Sequence, residues 1–247
     1  MCATEFEFRY RFWLILALYA LGFGCYAFDH VNIAVAFAEW LAGRSLQFDL
    51  AADRHRLQFL FGVAAAVAIV AALLRTWGAA YLRSEVVHDP NLHAEGLVAD
   101  GPYRYVRNPL YLGGMLLAVA FGMLASRVGF FVIVCGLTLL YDRLVRREEA
   151  ALLETQGESY RRFLAKVPRL VPSLRPRLPS NGMKARWGQA WRGEIFLWLF
   201  SVAVAAFAVT LDERVFYFLI GVALVGSVVA QRRRKASPAG ATEKPEP

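Results

Sequence analysis

Residues 93–113, HAEGLVADGPYRYVRNPLYLG, form a polar and turn-rich segment between two strongly apolar runs. Gly101-Pro102 and Asn108-Pro109 interrupt it. A residue before proline is disfavoured in the helical region, whereas proline itself suits the first turn of a helix. We therefore expect an ordered loop that ends by starting a membrane helix at Pro109.

The overall composition is that of a membrane protein. The chain has 247 residues, of which 57% are hydrophobic and 14% aromatic, and its mean hydropathy is +0.40. This is too apolar for an ordinary soluble domain and long enough for several membrane spans. The three cysteines, Cys2, Cys25 and Cys135, show no ligand-like spacing, so neither a metal site nor a disulfide framework is indicated.

Six apolar runs predict an all-α, polytopic helix bundle with about six membrane spans, or five if the shortest run does not cross. The runs are 12–28, 57–74, 110–125, 128–142, 195–211 and 215–230. The third and fourth are separated by Ser126-Arg127 alone, which predicts a tight helical hairpin. The run 57–74 is rich in alanine and should be central, because small side chains allow close helix packing.

The stretch Val31–Leu41 is apolar but too short to cross a membrane. We expect it to form an interfacial or re-entrant helix on the outer side.

Basic residues predict the orientation. All but five of the 28 Lys and Arg residues lie at the N-terminus, in 75–107, in 143–192 or after residue 231. The exceptions are Arg44, Arg54, Arg56, Arg127 and Arg214. By the positive-inside rule, both termini and the two long polar loops should face the cytoplasm.

Because the formal charge of +8 is arranged by membrane side, no nucleic-acid partner is predicted. The first run lacks a small-residue cleavage pattern, so we expect no cleavable signal peptide and favour a bacterial inner membrane.

Two motifs occur in order along the chain. The first comprises Leu97-Val98, Gly101-Pro102-Tyr103 and Arg107-Asn108-Pro109-Leu110-Tyr111. The second comprises Glu148-Glu149, Leu152, Gly157-Glu158-Ser159-Tyr160 and Val167-Pro168-Arg169. Together they resemble the signatures of the isoprenylcysteine carboxyl methyltransferase-like family, which are integral-membrane enzymes that use S-adenosylmethionine. The resemblance covers about residues 57–175.

The sequence departs from the family pattern at two positions. The family usually has His where Asn108 stands, and often a second His where Glu95 stands. Asn108 can donate and accept hydrogen bonds but cannot act as a base near neutral pH. A His-centred proton transfer is therefore not expected here.

The resemblance implies a cofactor-binding role for the residues of both motifs. They are Leu97, Val98, Tyr103, Asn108, Pro109, Leu110, Tyr111, Glu148 and Glu149. Arg107 and Arg143 are the candidate catalytic residues, because a guanidinium could orient an anionic group of the substrate or the donor. The alternatives are that the arginines snorkel at helix ends, that the tyrosines form an aromatic belt, and that the glutamates belong to a salt-bridged interfacial helix. Gly157 should break the helices that follow the hairpin.

Four regions are predicted: an N-terminal span with an outer helix (1–56), a methyltransferase-like core (57–175), a connector with a C-terminal helical hairpin (176–230) and a basic, disordered tail (231–247). The resemblance implies methyl transfer from S-adenosylmethionine to a lipophilic acceptor: the carboxylate of a prenylcysteine-like substrate, a phospholipid amine or a small thiol. Membrane lipids are expected partners, and the oligomeric state stays open. The alternatives are a non-catalytic scaffold or lipid-binding protein that retains the fold and, less well supported, a transporter.

Overall fold

The computed structural model describes residues 2–47, 50–82 and 100–236. These residues form nine α-helices, which confirms the all-α class. The helices are α1 (Glu5–Arg9), α2 (Arg11–Gly24), α3 (Ile33–Ala42), α4 (Ala51–Tyr81), α5 (Pro109–Gly122), α6 (Arg127–Lys166), α7 (Trp187–Gly193), α8 (Ile195–Thr210) and α9 (Glu213–Ala236).

Every predicted apolar run lies largely within a helix, but α4, α6 and α9 extend well beyond their runs. Helix α4 extends the run 57–74 at both ends. Helix α6 contains the run 128–142 and continues to Lys166. It continues because residues 143–156 are mostly strong helix formers with no glycine or proline. At Gly157 the backbone leaves the helical region with φ 54° and ψ −125°, as predicted for a break at this glycine.

Local capping residues fix the helix ends next to the loops. Asn32 precedes α3, and its side-chain oxygen accepts the N–H of Ala34 at 2.8 Å. Ser126 precedes α6, and its hydroxyl accepts the N–H of Gly129 at 3.1 Å. Pro109 is the first residue of α5, as expected. The hairpin between α5 and α6 is therefore confirmed.

Helix α4 is central in the bundle and packs against α3, α5, α7 and α8. Its buried face carries five alanines, each at most 5% exposed. They are Ala64, Ala65, Ala68, Ala71 and Ala72. Because these side chains are small, the neighbouring helices approach closely, which agrees with the expected role of the alanine-rich run.

Two helices in the described part of the chain, α4 and α6, are long and apolar enough to cross a membrane. Helices α7 and α8 add a third candidate if they are one span with a 59° bend. Helices α3 and α5, and α2 together with the turn that follows it, are shorter apolar helices. The structure thus supports a membrane helix bundle. Two or three of the described helices are long and apolar enough to cross a membrane, which is fewer than the six predicted.

The bundle has two distinct ends. At one end, Arg44 and Arg56 pair with Asp53 at 2.8 and 2.6 Å, and Arg54 donates to the carbonyl of Thr210 at 3.0 Å. The other end contains the last turns of α4, the loop before α5, and α7. Arg44, Arg54 and Arg56 are three of the five basic residues predicted to face outward. They therefore lie at the end opposite the loop that carries the first motif.

Candidate functional site

A buried aspartate anchors the loop before α5. Asp100 is 1% exposed and accepts hydrogen bonds from the Ser180 hydroxyl at 2.6 Å and from the N–H groups of Asn181 and Met183, both at 2.9 Å. Burial by itself would raise the pKa of Asp100, but these hydrogen bonds stabilise the charged form and bring the pKa below its ordinary value. The connector 180–183 is thereby fixed against the loop.

The segment after the second motif runs along the same loop. The N–H of Arg107 donates to the carbonyl of Pro168 at 2.9 Å, and the N–H of Ser173 donates to the carbonyl of Tyr105 at 2.9 Å. A third bond joins the N–H of Arg177 to the carbonyl of Arg104 at 2.8 Å. The Arg107–Pro168 bond therefore joins the two motifs across about 60 residues of sequence, and the other two bonds join the loop to the segment that follows the second motif.

Gly101 meets two requirements at once. Its φ is +58°, in the left-handed region, and a Cβ at this position would overlap the ring of Tyr81. Only glycine satisfies both conditions without a shift of the backbone. The loop therefore lies directly against the last residue of α4.

Glu149 is the centre of a buried polar cluster. Its carboxylate accepts hydrogen bonds from Asn108 Nδ2 at 3.1 Å and from Arg169 Nη2 at 2.6 Å. The Arg107 Nε atom lies 3.6 Å from the carboxylate, which is within ion-pair range but too long for a hydrogen bond. We call Arg107, Asn108, Glu149 and Arg169 the Glu149 cluster. It brings together residues from the first motif and from both ends of the second motif.

Two guanidinium N–H groups of this cluster remain without a bond. The Nε atoms of Arg107 and Arg169 are buried and have no hydrogen-bond partner among the described residues. A buried donor without a partner costs roughly 1–3 kcal/mol. A ligand, an ion or ordered water could complete this hydrogen bonding, so the cluster is a candidate binding site.

Tyr111 and Glu148 form a second polar contact beside the cluster. The Tyr111 hydroxyl donates to a Glu148 carboxylate oxygen at 2.7 Å. The Tyr111 ring meets the Tyr141 ring edge-on, with centroids 5.6 Å apart. A Cβ at Gly114 would lie 3.0 Å from the Tyr141 ring, so this glycine keeps α5 close to α6. Among the described residues, Tyr111 is the side-chain donor to Glu148, and a carboxylate can accept further hydrogen bonds.

Tyr103 points into the same region. It is 8% exposed. Burial raises the pKa of its phenol, and the charge of Glu148 raises it further, whereas the charge of Arg75 opposes the shift. Tyr103 is therefore a neutral phenol at physiological pH, close enough to Glu148 and Arg75 to experience both charges.

Arg75 is a site neighbour that the sequence reading missed. Its Nε and Nη2 atoms donate to the two oxygens of Glu194, each at 3.0 Å, and its Nη1 donates to the carbonyl of Leu110 at 3.2 Å. Leu110 follows Pro109, so Arg75 holds the first turn of α5. An arginine at the end of an otherwise apolar alanine-rich helix was the available sequence signal.

The sequence reading also missed Arg169, although it quoted this residue within the Val-Pro-Arg exit of the second motif. Its binding role depends on contact with Glu149, which is 20 residues away. No spacing rule predicts that contact.

Arg143 lies on a different face from the Glu149 cluster. Its guanidinium donates to Glu7 of α1 at 2.8 Å, and its carbonyl accepts the N–H of Ala3 at 3.0 Å. Hydrogen bonds from Arg143 and, to a smaller extent, from Thr4 lower the pKa of Glu7 to about 2. The catalytic role of Arg143 stays a prediction, as does that of Arg107. Leu97 and Val98 lie outside the described residues.

With this geometry in place, comparison with known proteins identifies the core. Residues 58–159 match the model of the phospholipid methyltransferase family. This segment, about two fifths of the chain, is similar to that family. The match confirms the predicted resemblance to S-adenosylmethionine-dependent membrane methyltransferases, and it supports an integral membrane protein.

One curated relative shows a similar relationship. The chain is 36% identical over 79 residues to protein-S-isoprenylcysteine O-methyltransferase from Schizosaccharomyces pombe (strain 972 / ATCC 24843). The alignment covers 32% of this chain and 34% of the relative, so the chain spans about a third of that protein's length. No solved structure matches the chain significantly.

Proposed function

We propose that this protein is an integral-membrane methyltransferase that moves a methyl group from S-adenosylmethionine to a lipid-soluble or lipid-attached acceptor. One observation carries the proposal. The side chains of the two family motifs meet in one place, through Tyr111 to Glu148 at 2.7 Å and Asn108 to Glu149 at 3.1 Å. Residues from distant parts of the chain therefore form a single polar site at one end of an apolar bundle.

The residues present fit the donor. S-adenosylmethionine carries a carboxylate, an ammonium group and ribose hydroxyls. The buried Nε–H groups of Arg107 and Arg169 suit the carboxylate. Glu148 has acceptor capacity left for the ammonium group or the hydroxyls. Tyr103 and Tyr111 supply rings at the same site, so both ends of the donor have complementary partners.

The donor supplies an electrophilic methyl carbon on a sulfonium. The chain contributes binding, alignment and exclusion of water, which together can account for a large part of the acceleration. If the acceptor is a carboxylate, Arg107 is placed to orient it. If the acceptor is an amine, it must lose a proton, and Glu148 and Glu149 are the groups of this site that can accept one. Asn108 cannot take that role.

The proposed arrangement in the membrane has all six apolar helices crossing, with both termini and the site on the cytoplasmic side. It is supported by the basic-residue distribution and by the position of Arg44, Arg54 and Arg56 at the end opposite the site. Tags inserted within 80–100 and within 175–185 should report the cytoplasm, and a tag within 48–52 the opposite face. A 175–185 tag that is accessible in intact spheroplasts would contradict this orientation.

The function is tested with protein purified in lipid nanodiscs, S-adenosylmethionine carrying a tritiated methyl group, and an extract of bacterial membrane lipids as pooled acceptor. Label should move into the organic phase. Mild alkali then distinguishes acceptors, because a methyl ester releases volatile methanol whereas an N-methyl or S-methyl group does not.

The control is the Glu148→Ala/Glu149→Ala double variant, checked for equal expression and a monodisperse elution profile. It should lose transfer. Intact wild-type protein that neither binds the donor nor transfers label would favour the non-catalytic alternative.

A further inference from the structure

A second feature lies apart from the Glu149 cluster, in a groove between α4, α7 and α8. The groove has a volume of about 420 Å³ and is lined almost entirely by apolar atoms. Four of the six tryptophans of the chain line it: Trp77, Trp187, Trp191 and Trp198. Leu73 and Leu74 of α4 add aliphatic surface. We call this feature the tryptophan groove.

Local contacts hold the groove in shape. The rings of Trp191 and Trp198 stack with centroids 4.5 Å apart, and the Trp198 indole N–H donates to the Thr76 hydroxyl at 3.0 Å. Thr76 is the polar side chain among the lining residues, and this bond already engages it. The N–H of Arg186 donates to the carbonyl of Ala80 at 2.8 Å and ties the start of α7 to α4. The 59° bend between α7 and α8 keeps the two helices from closing the groove.

The surroundings of the groove are strongly basic. Residues 175–193 contain five basic and no acidic residues. The basic residues are Arg175, Arg177, Lys184, Arg186 and Arg192, and all five are exposed. Arg186 precedes α7, the short helix that carries Trp187 and Trp191, and Arg192 lies in its last turn. Among the described residues, the acidic residue that follows this segment, Glu194, is 7% exposed and paired with Arg75.

The combination indicates a specific class of ligand. Tryptophan is enriched at the level of lipid headgroups, where one side of the ring is apolar and the other is hydrated. Basic pockets beside membrane helices bind anionic headgroups, and an apolar groove suits a hydrocarbon chain. We infer that the tryptophan groove binds an anionic phospholipid, with an acyl chain in the groove and the headgroup toward Arg186 and Arg192.

The groove shares no lining residue with the Glu149 cluster. Trp187, Trp191 and Trp198 lie beyond residues 58–159, which carry the family match, whereas the lining residues from α4 lie within that segment. The inferred lipid is therefore held by different side chains from those proposed to bind the methyl donor.

Quenching of tryptophan fluorescence by brominated lipids measures occupancy of the groove directly. The Trp13→Phe/Trp40→Phe variant removes the two tryptophans outside the groove, so all of its tryptophan fluorescence comes from the four groove residues. It is reconstituted into phosphatidylcholine vesicles that contain an equal small fraction of brominated phosphatidylglycerol or of brominated phosphatidylcholine. Phosphatidylglycerol should quench with an apparent association constant about fivefold higher for each basic residue that reaches the headgroup.

A charge variant identifies the residues responsible. Arg186→Gln/Arg192→Gln should abolish the preference for phosphatidylglycerol and leave quenching at the level of phosphatidylcholine. Arg161→Gln/Arg162→Gln is the matched control, because it removes the same charge from exposed positions on α6 and should keep the preference.

Equal quenching by the two lipids in the parent protein, or no quenching by either, would overturn the inference. Loss of the preference in the control pair would also overturn it, because the effect would then be one of overall charge. If the Arg186/Arg192 variant does not fold, the comparison of lipids in the parent protein still decides.

Discussion

Two buried glutamates at the same end of the bundle differ in how their hydrogen bonds are completed. Glu194 and Glu149 are 7% and 6% exposed, and both are paired with arginine. Arg75 binds both oxygens of Glu194 at 3.0 Å and uses its remaining Nη on the carbonyl of Leu110. Glu149 is shared among three side chains, and two of the guanidinium groups around it have a buried Nε without a partner among the described residues.

The difference separates a structural ion pair from the cluster that is proposed to bind the donor. In the Arg75–Glu194 pair, the carboxylate oxygens and the guanidinium nitrogens have partners, so the pair joins α4 to the bend between α7 and α8 and needs no ligand. In the Glu149 cluster, donors remain available, and an anionic group would complete them. Glu194 and Glu149 are similarly buried and both paired with arginine. They differ in whether every guanidinium N–H group around them has a hydrogen-bond partner.

The largest expected effect is on stability, from Arg75→Ala. This change leaves Glu194 buried without its counter-charge, and breaking a buried ion pair from one side costs about 3–5 kcal/mol. The free energy of unfolding should fall accordingly in denaturant titrations of the detergent-solubilised protein. Arg161→Ala, which removes one partner of the exposed Arg161–Glu158 pair, should cost less than about 1 kcal/mol. An equal loss of unfolding free energy in the two variants would show that the buried Arg75–Glu194 pair stabilises the fold no more than an exposed pair does.

The next effect is on donor affinity. Tyr111→Ala and Glu148→Ala should each weaken S-adenosylmethionine binding by at least ~1.4 kcal/mol, a tenfold change, because each removes one partner of the 2.7 Å contact at the site. Equilibrium binding of radiolabelled donor provides the measurement. Glu158→Ala, an exposed change on the same helix, should leave affinity unaltered. Unchanged affinity in the Glu148→Ala/Glu149→Ala variant would exclude this pocket.

Arg107→Lys tests whether the open donors of the Glu149 cluster are used. Lysine keeps the positive charge but lacks the planar fork and the Nε–H. If Arg107 orients an anion, turnover at matched expression should fall about tenfold, or ~1.4 kcal/mol of activation free energy, while the unfolding transition is kept. Wild-type turnover in this variant would return Arg107 to a topological role and leave Arg143 as the stronger candidate.

The smallest effect concerns the Glu7–Arg143 pair at the N-terminal face. Hydrogen bonds from Arg143 and, to a smaller extent, from Thr4 lower the pKa of Glu7 from 4.5 to about 2, so this carboxylate stabilises the fold above pH 4.5 and loses its contribution as the pH falls toward 2. The melting temperature of the wild type should exceed that of Glu7→Gln modestly near neutral pH, and the two curves should converge on acidification. A difference that is independent of pH would show that ionisation of Glu7 does not stabilise the protein.

The sequence by itself determined the elements and the chemical class of the core. Apolar runs and turn residues fixed the start of α5 at Pro109, the hairpin at Ser126-Arg127 and the break at Gly157, because these features depend on local backbone preferences. The two motifs, read in order, identified the methyltransferase family. The six-span estimate was less secure, because length and apolarity alone do not distinguish a crossing helix from a short packed one.

Only the tertiary structure decided which side chains meet. Arg169 reaches Glu149 because the segment after α6 folds back along the loop, and Arg75 reaches Glu194 across 119 residues of sequence. Arg107 and Arg143 look equivalent in the sequence, yet one lies in the Glu149 cluster and the other bonds Glu7 of α1. Periodicity and capping act over a few residues, whereas satisfaction of a buried charge depends on groups brought together from distant parts of the chain.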